Sequence, residues 1–298
     1  DLLDYALEVE HADQHLGRML AELERRGELD RTLVIVTSDN GMPFPRVKGH
    51  TYENANHLPL AIRWPRGIRE PGRTVEAYVS FIDLAPTFLQ AAGLEWSKTA
   101  LAPSPGRSLF DTFANQTDLT KTRDHVLVGR ERNDFGRPND AGYPVRGIVK
   151  DGHLYLENAE PTRWPCGNPE TGYLDTDASP TKSFILQARR DKGTDPHWDL
   201  CFGFRPAREL YDLRSDPDCL RNLLAAPSVE VAFEGLRNQL WSELKAAGDL
   251  RALGRGAEYE AYPSADVARR GFYEKYLRGE KLDAGWVVPS DWEKAPLK

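Results

Sequence analysis

Between residues 4 and 26, Leu7, Val9, Ala12, Leu16, Met19, Leu20 and Leu23 recur at helical spacing with charged residues between them. This predicts an amphipathic helix that Gly27 stops. Residues 32–37 form an unbroken apolar, β-branched run, the pattern of a strand covered on both faces, and residues 60–64 repeat it. A loop rich in Pro, Gly, Asn and His (38–57) separates the two. Residues 75–79 predict a short strand, and 83–92 a helix that Gly93 ends. Helix, strand, strand and helix in this order fit the end of an α/β domain with an open, mostly parallel sheet.

The pattern changes after Leu94. Residues 95–122 are mixed and turn-rich, as a connection would be. Residues 125–129, 145–150, 153–157 and 209–212 predict strands, and Asp151-Gly152 between the second and third is a hairpin signal. Residues 160–206 show no steady period. Residues 229–246 predict an amphipathic helix capped by Ser228, and the aromatic-bearing tail beyond Gly248 is expected to wrap the surface. The organisation expected is therefore 1–94, the end of a catalytic domain; 95–122, a connection; 123–248, a smaller α+β subdomain with an antiparallel sheet; and 249–298, a surface tail.

Composition adds exclusions. The 298 residues are 40% hydrophobic and 29% charged, as in an ordinary globular chain. A net charge of −7 argues against a nucleic-acid binder, although a local basic pocket could still hold an anion. No apolar run approaches the length of a membrane span. Three cysteines define no disulfide framework. The chain opens at Asp1 inside a helical pattern, as though the domain began upstream, so a signal peptide cannot be judged from it.

Candidate chemistry gathers in the loop after the first strand. Asp39-Asn40-Gly41 stands at the C-terminal end of that strand, where open α/β sheets place ligands. It suits an ordinary turn, and equally a pair of hard oxygen donors for Ca²⁺ or Mg²⁺. Lys48-Gly49-His50-Thr51-Tyr52-Glu53 follows, and a lysine in a glycine-containing loop beside such a pair suits a sulfate or phosphate group. His50 and His57 could line a pocket or order the loop. Arg132 and Asp134, in a charged stretch after residues 125–129, could be a salt-bridged loop or a rim for an anionic sugar. His11 and His15 have a zinc-compatible spacing without a third ligand, and are taken as helix-surface residues.

The order Ser38-Asp39-Asn40-Gly41, Lys48-Gly49, Tyr52-Glu53 and Trp64-Pro65 resembles the sulfatase family. The likeness continues through Asp83-Leu84-Ala85-Pro86-Thr87 and Glu209-Leu210-Tyr211-Asp212-Leu213, and covers about residues 1–245. Met42-Pro43-Phe44-Pro45, Tyr143-Pro144-Val145-Arg146 and the block from Arg208 to Asp212 are most similar to the heparan N-sulfatase branch and its bacterial relatives.

The resemblance implies part of an alkaline-phosphatase-like, mostly parallel sheet flanked by helices, plus the smaller subdomain. It implies hydrolysis of sulfate esters or sulfamates, on a sulfated carbohydrate or another small sulfated substrate. It assigns Asp39 and Asn40 to one divalent cation, Ca²⁺ ahead of Mg²⁺, Lys48 to catalysis, and His50, Arg132 and Asp134 to substrate. It also suggests a periplasmic or secreted protein.

The family nucleophile is a formylglycine made within a Cys-x-Pro-Ser-Arg type motif. Cys166-Gly167-Asn168-Pro169-Glu170 departs from that motif, with its Pro one place late and Glu where Arg is needed. The nucleophile is therefore expected in a missing N-terminal half of the domain, the chain alone is expected to be inactive, and at least one of the first two strands should lie unusually exposed. The alternatives are a phosphodiesterase or phosphonate hydrolase of the same superfamily, and a non-catalytic binding module.

Overall fold

The computed structural model describes residues 1–116, 118–225 and 227–297. It divides into two compact units, residues 1–38 with 59–126, and residues 39–58 with 127–298.

In the first unit, helix α1 (Leu2–Arg25) matches the predicted period and ends before Gly27, whose φ of +67° suits the chain reversal there. None of its residues is buried, and Leu2, Leu3, Leu7, Val9 and Met19 are exposed. His11 and His15 lie on its surface, their Nε2 atoms 3.0 Å apart. Strands β1 (Val34–Thr37) and β2 (Leu60–Arg63) pair antiparallel, with Val34 opposite Arg63 and Thr37 opposite Leu60.

The expected mostly parallel sheet is thus not what these strands form. A parallel return needs a crossover that carries the chain back along the strand, usually a helix. The intervening loop holds only the one-turn helix Glu53–Asn56 and delivers the chain back beside Thr37. Neither strand is buried on both faces: β2 alternates half-buried and exposed positions, and Val36 in β1 is 38% exposed, which is the exposure expected of at least one of them.

Residues 75–79 form no strand: the backbone there makes an isolated bond from Tyr78 N to Arg123 O at 3.0 Å. Helix α2 (Leu84–Ala91) follows a 3-10 turn, and Gly93 stops it as predicted. Arg123, fully buried, ties this region together. It donates to Asp83 (2.9 Å), Asp111 (2.9 Å) and the Ser108 carbonyl (2.8 Å), so the buried charge is both paired and hydrogen-bonded.

The second unit is built on an antiparallel sheet in the order β3 (His125–Arg130), β4 (Val145–Lys150), β5 (His153–Asn158) and β6 (Arg208–Asp212). Asp151 and Gly152, both at positive φ, make the tight turn between β4 and β5 and set Lys150 opposite His153. Ile148, Tyr155 and Leu210 on the sheet bury against Leu240 of a helix at Pro227–Ala246. Each such side chain contributes about 1.5–3 kcal/mol. The helix starts at Pro227, so Ser228, expected as its cap, stands inside its first turn.

Residues 160–206, expected to be irregular, contain helices α3 (Pro180–Lys192) and α4 (Pro196–Phe202). The Ser179 hydroxyl accepts from Lys182 N, and the Asp195 carboxylate accepts from His197 N and Trp198 N, each cap followed by Pro at the first helical position. With α5 naming the Pro227–Ala246 helix, the tail beyond it does more than wrap: Phe272 and Ala284 bury against Phe135 and Leu174. No helix among the described residues is long and apolar enough to cross a membrane.

Candidate active site

The loop after β1 is closed at its neck by Thr37 Oγ1 donating to Pro59 O at 2.7 Å. From Asp39 to Leu58 the chain belongs to the second unit. Gly41 is required by space: a Cβ there would lie 2.5 Å from Asn54 O and 2.9 Å from Ala55 Cα. Lys48 N and Phe44 N both donate to Met42 O, a turn that fixes where Lys48 leaves the backbone. Gly49, at a φ of +78°, presses against the main chain of Asp175, where a Cβ would stand 2.6 Å from the carbonyl oxygen. Arg46 stacks over Tyr52 at 3.9 Å and donates to the carbonyls of Leu200 and Cys219.

This folding brings Lys48 to an acidic cluster that the sequence does not announce. Lys48 Nζ lies 2.6 Å from Asp177 Oδ2, both side chains half-exposed. Asp175, nearly fully buried, accepts from Asp134 N at 2.9 Å and from Arg137. Burial, and then the Asp175 carboxylate, push Asp134 up to about 7, with Asp177 adding to the effect. Asp134 therefore carries a proton over part of the neutral range.

His50 instead points to Cys166, its Nε2 3.1 Å from Sγ. Burial, with Arg130, Arg205, Arg46 and Arg137 nearby, holds its pKa well below the usual imidazole value, so the ring is neutral. Arg132 donates to Tyr262 O at 2.9 Å. Asp39 is exposed and Asn40 half-buried. Of the residues predicted from sequence, Lys48 and Asp134 are thus gathered around Asp175 and Asp177, while His50 and Arg132 make other contacts. Asp175 and Asp177 were missed, whereas Arg130 and Arg137 fall in the charged stretch from which Arg132 and Asp134 were singled out. The first two sit in the aperiodic stretch 160–206, and only their Asp-x-Asp spacing could have flagged them.

Residues 1–94, which include this loop, match the family described as Sulfatase. Over these residues the chain belongs to the sulfatase family. It is 32% identical over 248 residues to human N-sulphoglucosamine sulphohydrolase, covering 80% of this chain and 47% of that protein. It is 28% identical over 242 residues to an ulvan-active sulfatase of Formosa agariphila, covering 80% of this chain and 37% of that one. Among solved structures, a 2-O GAG sulfatase superposes with a TM-score of 0.53 at 17% identity, over 87% of this chain and 44% of that one, which is a likeness of fold. The chain spans about half the length, or less, of the curated relatives it matches.

Sulfatase chemistry implies a divalent cation and a formylglycine, and the residues present can be tested for both. Ca²⁺ takes six to eight oxygens and Mg²⁺ six. Asp39 and Asn40 offer two adjacent donors, and no group of three or more His, Cys, Asp or Glu side chains among the described residues could hold a metal. The described residues do not make a cation site by themselves. Nor do the cysteines fit the nucleophile: Cys166, Cys201 and Cys219 are all buried thiols whose pKa burial raises, and Cys166 donates to Cys201 O.

Proposed function

We propose that this chain is part of a sulfatase acting on sulfate esters or sulfamates of a sulfated carbohydrate, with Lys48 as the group that meets the sulfate. The observation that carries the reading is the placement of Lys48. Two glycines and a turn at Met42 hold it on the loop that follows Asp39-Asn40, within the segment matched by the family. The relatives at 32% and 28% identity, both named for sulfated-sugar substrates, support the substrate class.

An ammonium so placed stabilises the negative charge of sulfuryl oxygens, because its charge is present before the reaction and needs no reorganisation. Asp177 orients it. Asp134, protonated near neutral pH, is able to donate to a sugar hydroxyl or a sulfate oxygen. Asp39 and Asn40 would supply two oxygens to a divalent cation, Ca²⁺ suiting their hard donors. His50 and Arg132 act on substrate indirectly, His50 by ordering the loop and Arg132 by holding the tail at Tyr262.

The test is binding of N- and O-sulfated glucosamine to the 298-residue chain, compared with unsulfated glucosamine and glucosamine 6-phosphate. The sulfated sugars should bind in preference to both others, and Lys48→Met should weaken that binding roughly tenfold. Equal binding of the phosphate ester, or indifference to Lys48→Met, would refute the assignment. Turnover of an aryl sulfate by the chain should be negligible, and robust turnover would show that a nucleophile has been overlooked.

A further inference from the structure

Residues 286–293, near the end of the chain, form a strap over the aperiodic stretch that carries Asp175 and Asp177. Lys182 of α3, fully buried, donates from Nζ to Gly172 O at 2.9 Å and to Thr176 O at 2.7 Å, and stands 3.2 Å from Oδ2 of Asp291, itself fully buried. A buried ammonium is tolerated when it is paired and hydrogen-bonded in this way, and is costly otherwise. It therefore fastens residues 172–176 and the strap to one point. Glu293 N donates to Pro169 O at 3.0 Å, and the Tyr173 hydroxyl donates to Glu293 Oε1 at 3.3 Å, which fixes the far end of the strap.

Trp286 stands at the near end. Its indole Nε1 donates to Leu174 O at 2.8 Å, its carbonyl accepts from Ala178 N at 2.7 Å, and its ring meets that of Phe135 edge-on, 5.4 Å between centroids. Leu174, Ala178 and Phe135 are the chain neighbours of Asp175, Asp177 and Asp134. Trp286 thus grips, one residue removed, each member of the acidic cluster around Lys48. Carboxyl groups crowded together repel one another when charged, and the crowding persists only where other contacts outweigh that repulsion. The bonds of Trp286 are of this kind, since they go to main chain and to a ring and leave the carboxyl groups to face Lys48 and Arg137.

We propose that Trp286 is a positioning residue for the sulfate-facing site: through Leu174, Ala178 and Phe135 it keeps Asp134, Asp175 and Asp177 together beside Lys48. The role of Lys48 rests on the function proposed above; the clamp on the three carboxyl groups does not. Trp286 lies beyond the residues, about 1–245, that resemble the sulfatase family, so the pattern that points to Lys48 does not reach it.

The experiment titrates the Asp134 side chain of the full chain by carboxyl carbon NMR, the signal being assigned by its loss in Asp134→Asn. The unaltered chain should show a midpoint of about 7. Trp286→Ala removes the ring contact and the indole bond, admits water and lets the three carboxyl groups part. Both changes favour the charged form, so the midpoint should fall by about one pH unit or more. Trp286→Phe keeps a ring against Phe135 and loses only the N–H to Leu174 O, so it should shift the midpoint less, in the same direction, and it remains informative if Trp286→Ala does not fold. Leu240→Ala weakens the fold from a core cluster that contains no strap residue, and should leave the midpoint in place. A midpoint near the ordinary 3.8 in the unaltered chain, an unmoved midpoint in every Trp286 variant that folds, or an equal shift in Leu240→Ala would overturn the proposal. The titration needs no sulfated sugar, so a chain that shows the shift and yet binds no sulfated sugar loses the reading of Lys48 and keeps the clamp.

Discussion

Asp134 gives the sharpest test of the site's electrostatics. In the folded chain its pKa is raised from the ordinary 3.8 to about 7, by burial first and by Asp175 and Asp177 after it. At about 1.36 kcal/mol per pH unit this amounts to roughly 2–4 kcal/mol of preference for the protonated form, once the water reaching a half-buried side chain is allowed for. An unfolded chain gives up this proton near pH 4, while the folded chain keeps it to about 7. The stabilising contribution is therefore fully present below pH 4, and is lost as pH rises through 7. Asp134→Asn presents a neutral side chain of the same shape and keeps an oxygen for the Phe135 N–H that Asp134 now accepts at 3.1 Å. Urea unfolding from pH 4 to pH 8 should show the natural chain losing stability relative to Asp134→Asn, with the variant more stable by about 2–4 kcal/mol at pH 8. Parallel profiles, or a variant less stable at pH 8, would mean that Asp134 is ionised in the fold.

Three further outcomes are expected. Arg123→Met strands Asp83 and Asp111 without their buried partner, and should cost about 3–5 kcal/mol in denaturant unfolding of the first unit; a loss below about 1 kcal/mol would contradict the buried hub. Gly41→Ala forces a methyl group against the main chain of Asn54 and Ala55, and should cost about 1–3 kcal/mol by calorimetry and weaken sulfated-sugar binding in the same variant, whereas an unchanged midpoint would show that the loop yields easily. Asp177→Asn releases Lys48 from a half-exposed ion pair worth at most about 1 kcal/mol, so sulfated glucosamine should bind up to roughly fivefold tighter at low salt, with the gain fading at high salt; weaker binding would place Asp177 in contact with the sugar.

What the sequence revealed was local. The period of α1, the hairpin at Asp151-Gly152, the four strands of the second sheet and the Lys48 loop all follow from spacing and turn chemistry within a few residues. What it concealed was pairing at long range. Apolar runs at β1 and β2 read as two-sided strands, because periodicity registers hydrophobicity and not which neighbours are present to cover it. Helices α3 and α4 were hidden by polar exteriors, although Ser179-Pro180 and Asp195-Pro196 were legible N-terminal signals. The partners of Lys48 and Asp134 lie some 40–130 positions away in sequence, and no local pattern ties them together.

Those partners determine what the motif can do. Asp134, Asp175 and Asp177 act on one another across a small region in which Lys48 and Arg137 supply the paired cations. Arg130 adds a second guanidinium 3.7 Å from Asp175, whereas among the described residues Asp134 has no ion-pair partner, and burial beside Asp175 favours its protonated form. Asp175 is bound by the Arg137 guanidinium and a backbone N–H, and Asp177 by the Lys48 ammonium. Asp134 donates its backbone N–H to Asp175, and its carboxylate receives only the neighbouring Phe135 N–H, so the proton belongs there. Around His50 it is burial first, and then the guanidinium groups of Arg130, Arg205, Arg46 and Arg137, that keep the imidazole neutral. Lys48 and His50, two residues apart on one loop, therefore face different surroundings: carboxylates beside the ammonium of Lys48, and guanidinium groups beside the buried ring of His50.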